Sequence, residues 1–283
     1  MENTLPRELS EKVEKLFDWL SQRKCVIAFS GGVDSATLGK AMVLASQKYG
    51  KEPPVGYFAT SATSTELERS EAIRVAEEIG LKLNVVKSNE FSDERFVQNT
   101  PLRCYWCKKI RFSKIRELAN AGNEDGSEKT FVLDGTNADD SKDYRPGMKA
   151  ATEEGVLSPW AELSFSKAEI RRVASYWGLS VAEKPSNPCL ASRVSYHLPL
   201  NDEVLRKIES AEIAIKRTLN VDVCRARVDA YNAVRVEIPE ARIASVLEES
   251  TRKELVRVLR EIGFDFVSLD LEGFFSGKNN RVA

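Results

Sequence analysis

Cys25-Val26-Ile27-Ala28-Phe29-Ser30-Gly31-Gly32-Val33-Asp34-Ser35 is the stretch on which the fold turns. Five apolar residues read as a short, fully buried strand, and the polar turn after them runs straight into a helix at Asp34. Two adjacent glycines let the backbone turn sharply and expose consecutive N–H groups with no Cβ in the way. The helix adds its positive end, so hydrogen bonds and dipole together favour an anion there. Ser30 and Ser35 contribute hydroxyl donors. Asp34 would repel a phosphate unless it held Mg²⁺, the usual way to place a carboxylate beside one. The Gly-Lys-Ser/Thr ending of the P-loop is missing, and so is G-x-G-x-x-G. The competing reading is an ordinary Gly-Gly turn of an α/β protein.

Outward from this loop the same signature repeats. Val55–Ala59, Leu83–Val86 and Phe131–Leu133 read as further buried strands, alternating with helical patterns at 34–48, 64–79 and 106–120. Leu9, Val13, Leu16, Phe17 and Leu20 give a leading helix at 6–23 one apolar face. Thr63 with Glu66 and Ser166 with Glu169 read as capping boxes, and Gly80 and Gly178 as helix stops. Apolar strands alternating with helices predict a parallel sheet covered on both faces. After Pro199 the pattern becomes helix 201–218, alternating stretches Val223–Val228 and Ala233–Ile238 around an Ala230-Tyr231-Asn232 turn, helix 240–262 and strand 264–271. That is an α+β arrangement, so the boundary is placed near 198: an α/β domain over 1–198 and a smaller C-terminal α+β domain over 199–283. A chain of 283 residues agrees with two units at ~150 residues each. The stretch 121–128 reads as a solvated loop, and 276–283 as a fraying tail.

Composition narrows the function. Lys and Arg total 42 against 43 Asp and Glu, a net charge of -1, which argues against a whole-surface nucleic-acid binder. No apolar run is long enough for a membrane span, and the first residues lack the order of a secretory signal. With five cysteines this points to a reducing, cytoplasmic setting. His197 is the single histidine, which excludes designs needing several imidazoles; it reads as a surface residue.

Asp134-Gly135-Thr136-Asn137-Ala138-Asp139-Asp140 follows the fourth strand, at a strand end where open α/β sheets bind ligands. A polar turn with an Asn cap is the alternative. Arg103-Cys104-Tyr105-Trp106-Cys107-Lys108 puts two thiols three apart at a helix start, where the dipole and nearby Arg103, Lys108 and Lys109 favour thiolates. Cys189 sits in a proline-stiffened segment, Lys184-Pro-Ser-Asn-Pro-Cys-Leu-Ala-Ser-Arg193; Cys25 and Cys224 read as core residues. Spacing leaves three readings open: zinc with a missing fourth ligand, a Cys104–Cys107 disulfide, or an iron–sulfur cluster on three cysteines. Arg225 and Arg227 alternate on a strand, so both project from one face and could clamp a phosphate in bidentate fashion; a solvated face is the alternative.

The Ser30–Ser35 loop resembles that of the PP-loop ATP pyrophosphatases (adenine nucleotide alpha hydrolase-like), which cleave ATP to AMP and pyrophosphate. With Gly135–Gly147, Ser158-Pro159, Lys184-Pro185, Cys189–Arg193 and Cys224–Arg227, the chain from about 10 to 270 resembles the LarE family, pyridinium-3,5-biscarboxylic acid mononucleotide sulfurtransferases that help build a nickel-pincer cofactor. The resemblance implies ATP on Ser30, Gly31, Gly32, Asp34, Ser35, Gly135, Thr136 and Asn137, with Mg²⁺ on Asp34. In single-cysteine members the residue matching Cys189 gives up its own sulfur. Cys104 and Cys107 are a departure, shared with a branch that binds a [4Fe–4S] cluster. It implies that Cys104, Cys107 and Cys189 are ligands and that the open iron carries a transferable sulfide. Trp106 would stack on the pyridinium ring or cover the cluster, and Asp143, Arg145 and Arg193 would position a small mononucleotide. Arg225 and Arg227 would take its phosphate, across a subunit interface of a homo-oligomer, giving the C-terminal domain a substrate-binding and oligomerisation role. The resemblance does not name the sulfide source. The rivals are a tRNA thiolase of the same superfamily, an amide-forming ATP pyrophosphatase and a non-catalytic ATP or iron–sulfur binder.

Overall fold

The computed structural model describes residues 4–121, 129–142, 146–185, 187–275 and 278. Along the chain run α1 (Arg7–Ser21), β1 (Cys25–Ala28), α2 (Val33–Tyr49), β2 (Val55–Thr60), α3 (Glu66–Ile79), β3 (Lys82–Lys87), α4 (Glu94–Val97), α5 (Arg103–Ala119) and β4 (Phe131–Leu133). Then come α6 (Pro146–Glu153), α7 (Pro159–Glu162), α8 (Lys167–Tyr176), α9 (Asp202–Leu219), β5 (Arg225–Asp229), β6 (Ala233–Glu237), α10 (Ile243–Val246), α11 (Glu249–Ile262) and β7 (Phe266–Leu269). They fold into two compact units. The first is Met1–Ser61, Glu66–Glu90 and Cys104–Asn187; the second is Ala62–Thr65, Phe91–Arg103 and Pro188–Ala283.

The first unit is the parallel α/β layer expected. Its sheet has the order β3-β2-β1-β4, with every pairing parallel. Ile27 of β1 sits opposite Gly56 on one side and Leu133 on the other. The apolar face of α1 is buried as its periodicity requires, and α3 buries Ala72, Val75, Ala76 and Ile79. Each large side chain removed from water contributes about 1.5–3 kcal/mol. Trp160 is fully buried edge-on to Phe165 at 4.7 Å. The box at α8 forms as read: Glu169 N–H donates to Ser166 Oγ at 3.2 Å, and its carboxylate accepts from Ser166 N–H at 2.7 Å. Helix α3 starts at Glu66, and residues 62–65 before it belong to the second unit.

The second unit packs α9 and α11 with a three-stranded sheet of order β5-β6-β7, in which β5 and β6 are antiparallel and β6 and β7 parallel. Residues 188–198, grouped by sequence pattern with the first domain, fold here instead. Leu190 N–H bonds Thr63 O at 3.2 Å, Val194 bridges Val228, and Leu200 N–H bonds Val97 O at 2.9 Å. Buried Asn99, at φ 52°, donates to the carbonyls of Ser195 and Leu198 at 2.9 Å each and accepts from the N–H of exposed His197. The helix expected over 240–262 is interrupted: Glu248 takes extended backbone angles between α10 and α11. Among the described residues no helix is long and apolar enough to cross a membrane.

Cys224, just before β5, is buried and donates to Glu212 O at 3.4 Å. Burial, reinforced by the Glu212 carboxylate, pushes its thiol from 9.0 up to about 12. The unfolded chain ionises first, so this stability is complete below pH 9.0 and is lost as pH rises towards about 12. Urea midpoints at about pH 8.5 and about pH 10.5 should therefore fall less in Cys224→Ala than in the parent, although the variant starts less stable by about 1 kcal/mol.

Candidate active site

In the first unit, β1 and β4 are neighbours, so the loops leaving their C-terminal ends lie side by side. Gly31 takes φ 71°, and a Cβ there would stand 2.8 Å from Ala72 Cα, so the turn and the approach of α3 both require glycine. Ser35 Oγ organises the loop: it accepts from Ser30 N–H at 3.2 Å, lies 3.0 Å from Ser30 Oγ and donates to Gly32 O at 3.1 Å. Gly135 closes in from β4, where a Cβ would meet Asp34 Cβ at 2.9 Å and Ser35 N at 3.0 Å. The half-buried Asp34 carboxylate accepts from Asn137 Nδ2 at 3.4 Å and from the Lys167 ammonium. Buried Asp134 accepts from the Thr136 N–H at 3.1 Å and from the Thr136 and Ser158 hydroxyls at 2.7 Å each, with Lys108 Nζ at 3.7 Å.

The structure thus brings together all eight loop residues read from the sequence. It adds Lys167, to which the sequence assigned no role, together with Lys108, read there only as a cation near the thiols, and Ser158, noted only within the Ser158-Pro159 segment. Lys167 carried one legible signal: it opens α8, where the helix dipole disfavours a cation unless an anion compensates it. The carboxylate of Asp34 offers the hard oxygen donors that a divalent cation takes.

Cys104 is exposed and Cys107 half-buried at the start of α5. Cys107 Sγ lies 3.8 Å from Glu90 Oε1, which also accepts from Arg111 Nε, while Arg111 Nη2 donates to Ser61 Oγ at 3.2 Å. Glu90 is 0% exposed, and its Oε2 is buried with no hydrogen-bond partner. Nothing in the polar run Ser88-Asn-Glu-Phe-Ser92 announces this residue. Half-buried Trp106 stands edge-on to Tyr105 at 4.7 Å. Lys109, read as a cation near the thiols, bonds Glu153 at 2.8 Å and Tyr105 at 3.0 Å. The hydrogen bond to Glu153 raises Lys109 above the usual ammonium range, and the reciprocal bond lowers Glu153.

In the second unit, Cys189 is a half-buried free thiol preceding the turn Leu190–Arg193. Arg193, 1% exposed, pairs with Glu212 at 2.9 Å and donates to the carbonyls of Pro188 and Cys189, the latter at 3.1 Å. Arg227 donates to Glu237 Oε1 at 3.0 Å and to Ser192 O at 2.8 Å. Arg225 donates to Cys224 O at 2.7 Å, lies over Phe274 at 4.9 Å and has no ion-pair partner among the described residues; burial lowers its basicity. Asp143 and Arg145 lie outside the described residues. Among the described residues no group of three or more His, Cys, Asp or Glu side chains is set to hold a metal.

No protein-family model matches the chain. It is 33% identical, over 91% of its length and 89% of the relative's, to the pyridinium-3,5-bisthiocarboxylic acid mononucleotide synthase of Lactiplantibacillus plantarum. The chain belongs to the LarE family. An uncharacterised protein of Synechocystis matches at 36% identity over 97% of the chain and 98% of that protein. A tRNA-specific 2-thiouridylase of Wolbachia pipientis matches at 26% identity over 59% of the chain and 52% of its own length. Family membership makes the chain a sulfurtransferase on the PP-loop α/β fold.

Two outcomes follow from this geometry. Gly135→Ala should lower stability by about 1–3 kcal/mol, since backbone and Asp34 must yield to the new methyl; urea unfolding checks this. Arg193→Ala should cost about 3–5 kcal/mol by stranding Glu212, and it should speed the reaction of Cys189 with a thiol probe, because the Pro188–Cys189 carbonyls lose their donor.

Proposed function

We propose that the chain is an ATP-dependent sulfurtransferase that converts a carboxylate of pyridinium-3,5-biscarboxylic acid mononucleotide into a thiocarboxylate, in nickel-pincer cofactor biosynthesis. The observation that carries this reading is the junction of two strand-end loops at Asp34, Asn137 and Lys167, in a chain 33% identical to a synthase of the bisthiocarboxylic product. Hydroxide leaves a carboxylate badly, so the oxygen must first be made a leaving group. Backbone N–H groups of Gly31 and Gly32 and the hydroxyls of Ser30 and Ser35 bind the triphosphate of ATP, with Thr136 and Asn137 beside them. Asp34 and the phosphates would hold Mg²⁺, which spreads the charge on departing pyrophosphate. Lys167 and Lys108 add positive charge there.

The substrate carboxylate oxygen attacks the α-phosphorus, the bond to pyrophosphate breaks, and an acyl adenylate forms. A sulfide then attacks the acyl carbon and AMP leaves with the former carboxylate oxygen. No protein base is needed, in keeping with a single histidine. Arg225, with no ion-pair partner among the described residues, supplies a guanidinium for the mononucleotide phosphate, with Arg227 next to it on the same strand face. Trp106 offers a flat surface for the pyridinium ring, and Asp143 and Arg145 serve to position the substrate, while buried Arg193, read from the sequence for that role, instead holds the Cys189 turn. The thiols of Cys104, Cys107 and Cys189 are of the ligand type that suits iron–sulfur ligation. When bound, a [4Fe–4S] cluster on three thiolates leaves one iron able to carry the sulfide. In this reading the first unit handles ATP, and the second handles substrate and assembly into a homo-oligomer.

Anaerobic assays should find AMP, pyrophosphate and thiocarboxylate in equal amounts, dependent on the mononucleotide. Asp34→Asn should slow turnover by about 10²–10³-fold. AMP release driven by tRNA and not by the mononucleotide would move the chain to the thiolases. Cys104→Ala and Cys189→Ala should each lose bound iron; stoichiometric zinc in the parent would rule the cluster out.

A further inference from the structure

We propose that Lys167 is a displaceable counter-ion: it closes the Asp34 carboxylate while the phosphate loop is empty and is drawn off by the triphosphate, so that the carboxylate opens only when ATP is bound. This rests on the reading that the loop takes ATP. Among the described residues Asp34 is the only ion-pair partner of Lys167, and it lies 133 positions away in the chain. Both oxygens of the carboxylate are in use: Asn137 Nδ2 donates to Oδ1 at 3.4 Å, and the Lys167 ammonium donates to Oδ2. The pair closes a ring. Asn137 Oδ1 accepts from Asp139 N–H at 3.0 Å, and Asp139 Oδ2 accepts from Lys167 N–H at 2.8 Å. Lys167 is thus anchored through its backbone, and only its side chain has to move. That side chain is 31% exposed and that of Asp34 26%, so the two can part without unpacking the core.

The charge balance makes the contact displaceable. Lys167 is the first residue of α8 and Asp34 lies in the first turn of α2, so two positive helix ends and an ammonium share one carboxylate. A divalent cation that took Asp34 without nucleotide would leave the ammonium stranded at a helix N-terminus. A triphosphate reverses this. Its several negative charges attract the ammonium more strongly than one carboxylate does, and the cation that travels with the nucleotide meets the oxygens Lys167 has left. A ligand shifts such an equilibrium only by its differential affinity for the two arrangements, and here the difference is charge. The coupling is reciprocal, so nucleotide and cation each tighten the binding of the other through Lys167.

The test uses the full chain freed of metal, with Mn²⁺ binding followed by electron paramagnetic resonance. The nucleotide is α,β-methylene-ATP, which cannot be split between its α- and β-phosphorus. Without nucleotide the parent should hold Mn²⁺ no more tightly than Asp34→Asn does. Lys167→Met should gain about fivefold in nucleotide-free Mn²⁺ affinity, the worth of one partly exposed ion pair. Adding Asp34→Asn to that variant should remove the gain, and Lys167→Arg should behave as the parent. In the absence of metal, Lys167→Met should bind the analogue about tenfold more weakly. A nucleotide-free parent that holds Mn²⁺ more tightly than Asp34→Asn overturns the proposal, and that comparison needs no Lys167 variant to fold. So does a Lys167→Met chain, shown by thermal unfolding to be folded, in which either affinity is unchanged. Binding of the analogue to the parent separates the two levels. A parent that binds no analogue, with or without Mn²⁺, overturns the ATP reading and this counter-ion with it, whereas analogue binding that ignores Lys167 overturns the counter-ion alone.

Discussion

The arrangement of the first unit depends on one half-buried residue, Asp34, being held from three directions. Lys167 and Asn137 meet its side chain, and Trp160 donates to its backbone carbonyl at 3.1 Å. The last contact matters because Trp160 is a core residue with no exposed surface. Helix α2 is therefore fastened to the hydrophobic interior by a directional bond. Neighbouring parallel strands supply the rest: with β1 beside β4, the missing Cβ of Gly135 is what lets the second loop approach the first.

The second unit solves a different problem, keeping several guanidinium groups inside a small sheet. Arg227 lies directly opposite Arg235 in the ladder, a like-charge pairing that destabilises unless it is compensated. Glu237 Oε1 accepts from both, and Asp270 binds Arg235 and Lys278 at 2.6 Å each. Buried ion pairs of this kind are weak sources of stability but heavily penalised when one partner goes. Their service is to hold side chains in set places, including the stretch of backbone at Ser192 that Arg227 bonds.

Much of this was legible in the residues themselves. Apolar strands, the glycine pair and the periodicity of α1 are local features, and the parallel sheet and the loop at its strand ends followed from them. The Gly135-Thr136-Asn137 element could be placed because its position after a strand carries meaning. What was not legible depends on distant partners. Arg193 and Arg227 look like available cations in a linear reading, yet Glu212 and Glu237, 19 and 10 residues away, engage them. Residues 188–198 join the second unit because Thr63, Asn99 and Val228 reach them, and no pattern within 188–198 records that. The gap between α10 and α11 was hidden by continuous helical spacing, and Glu90 by being a lone acid in a polar loop.

Arg193 fastens the Cys189 turn through the carbonyl oxygens of Pro188 and Cys189 and not through the sulfur. The grip is accordingly indifferent to what happens at that atom. Thiol, thiolate, metal-bound sulfur or a side chain stripped of sulfur would leave the backbone equally clamped. The position of the turn is thus independent of the chemistry its sulfur carries, since the geometry is written in the main chain.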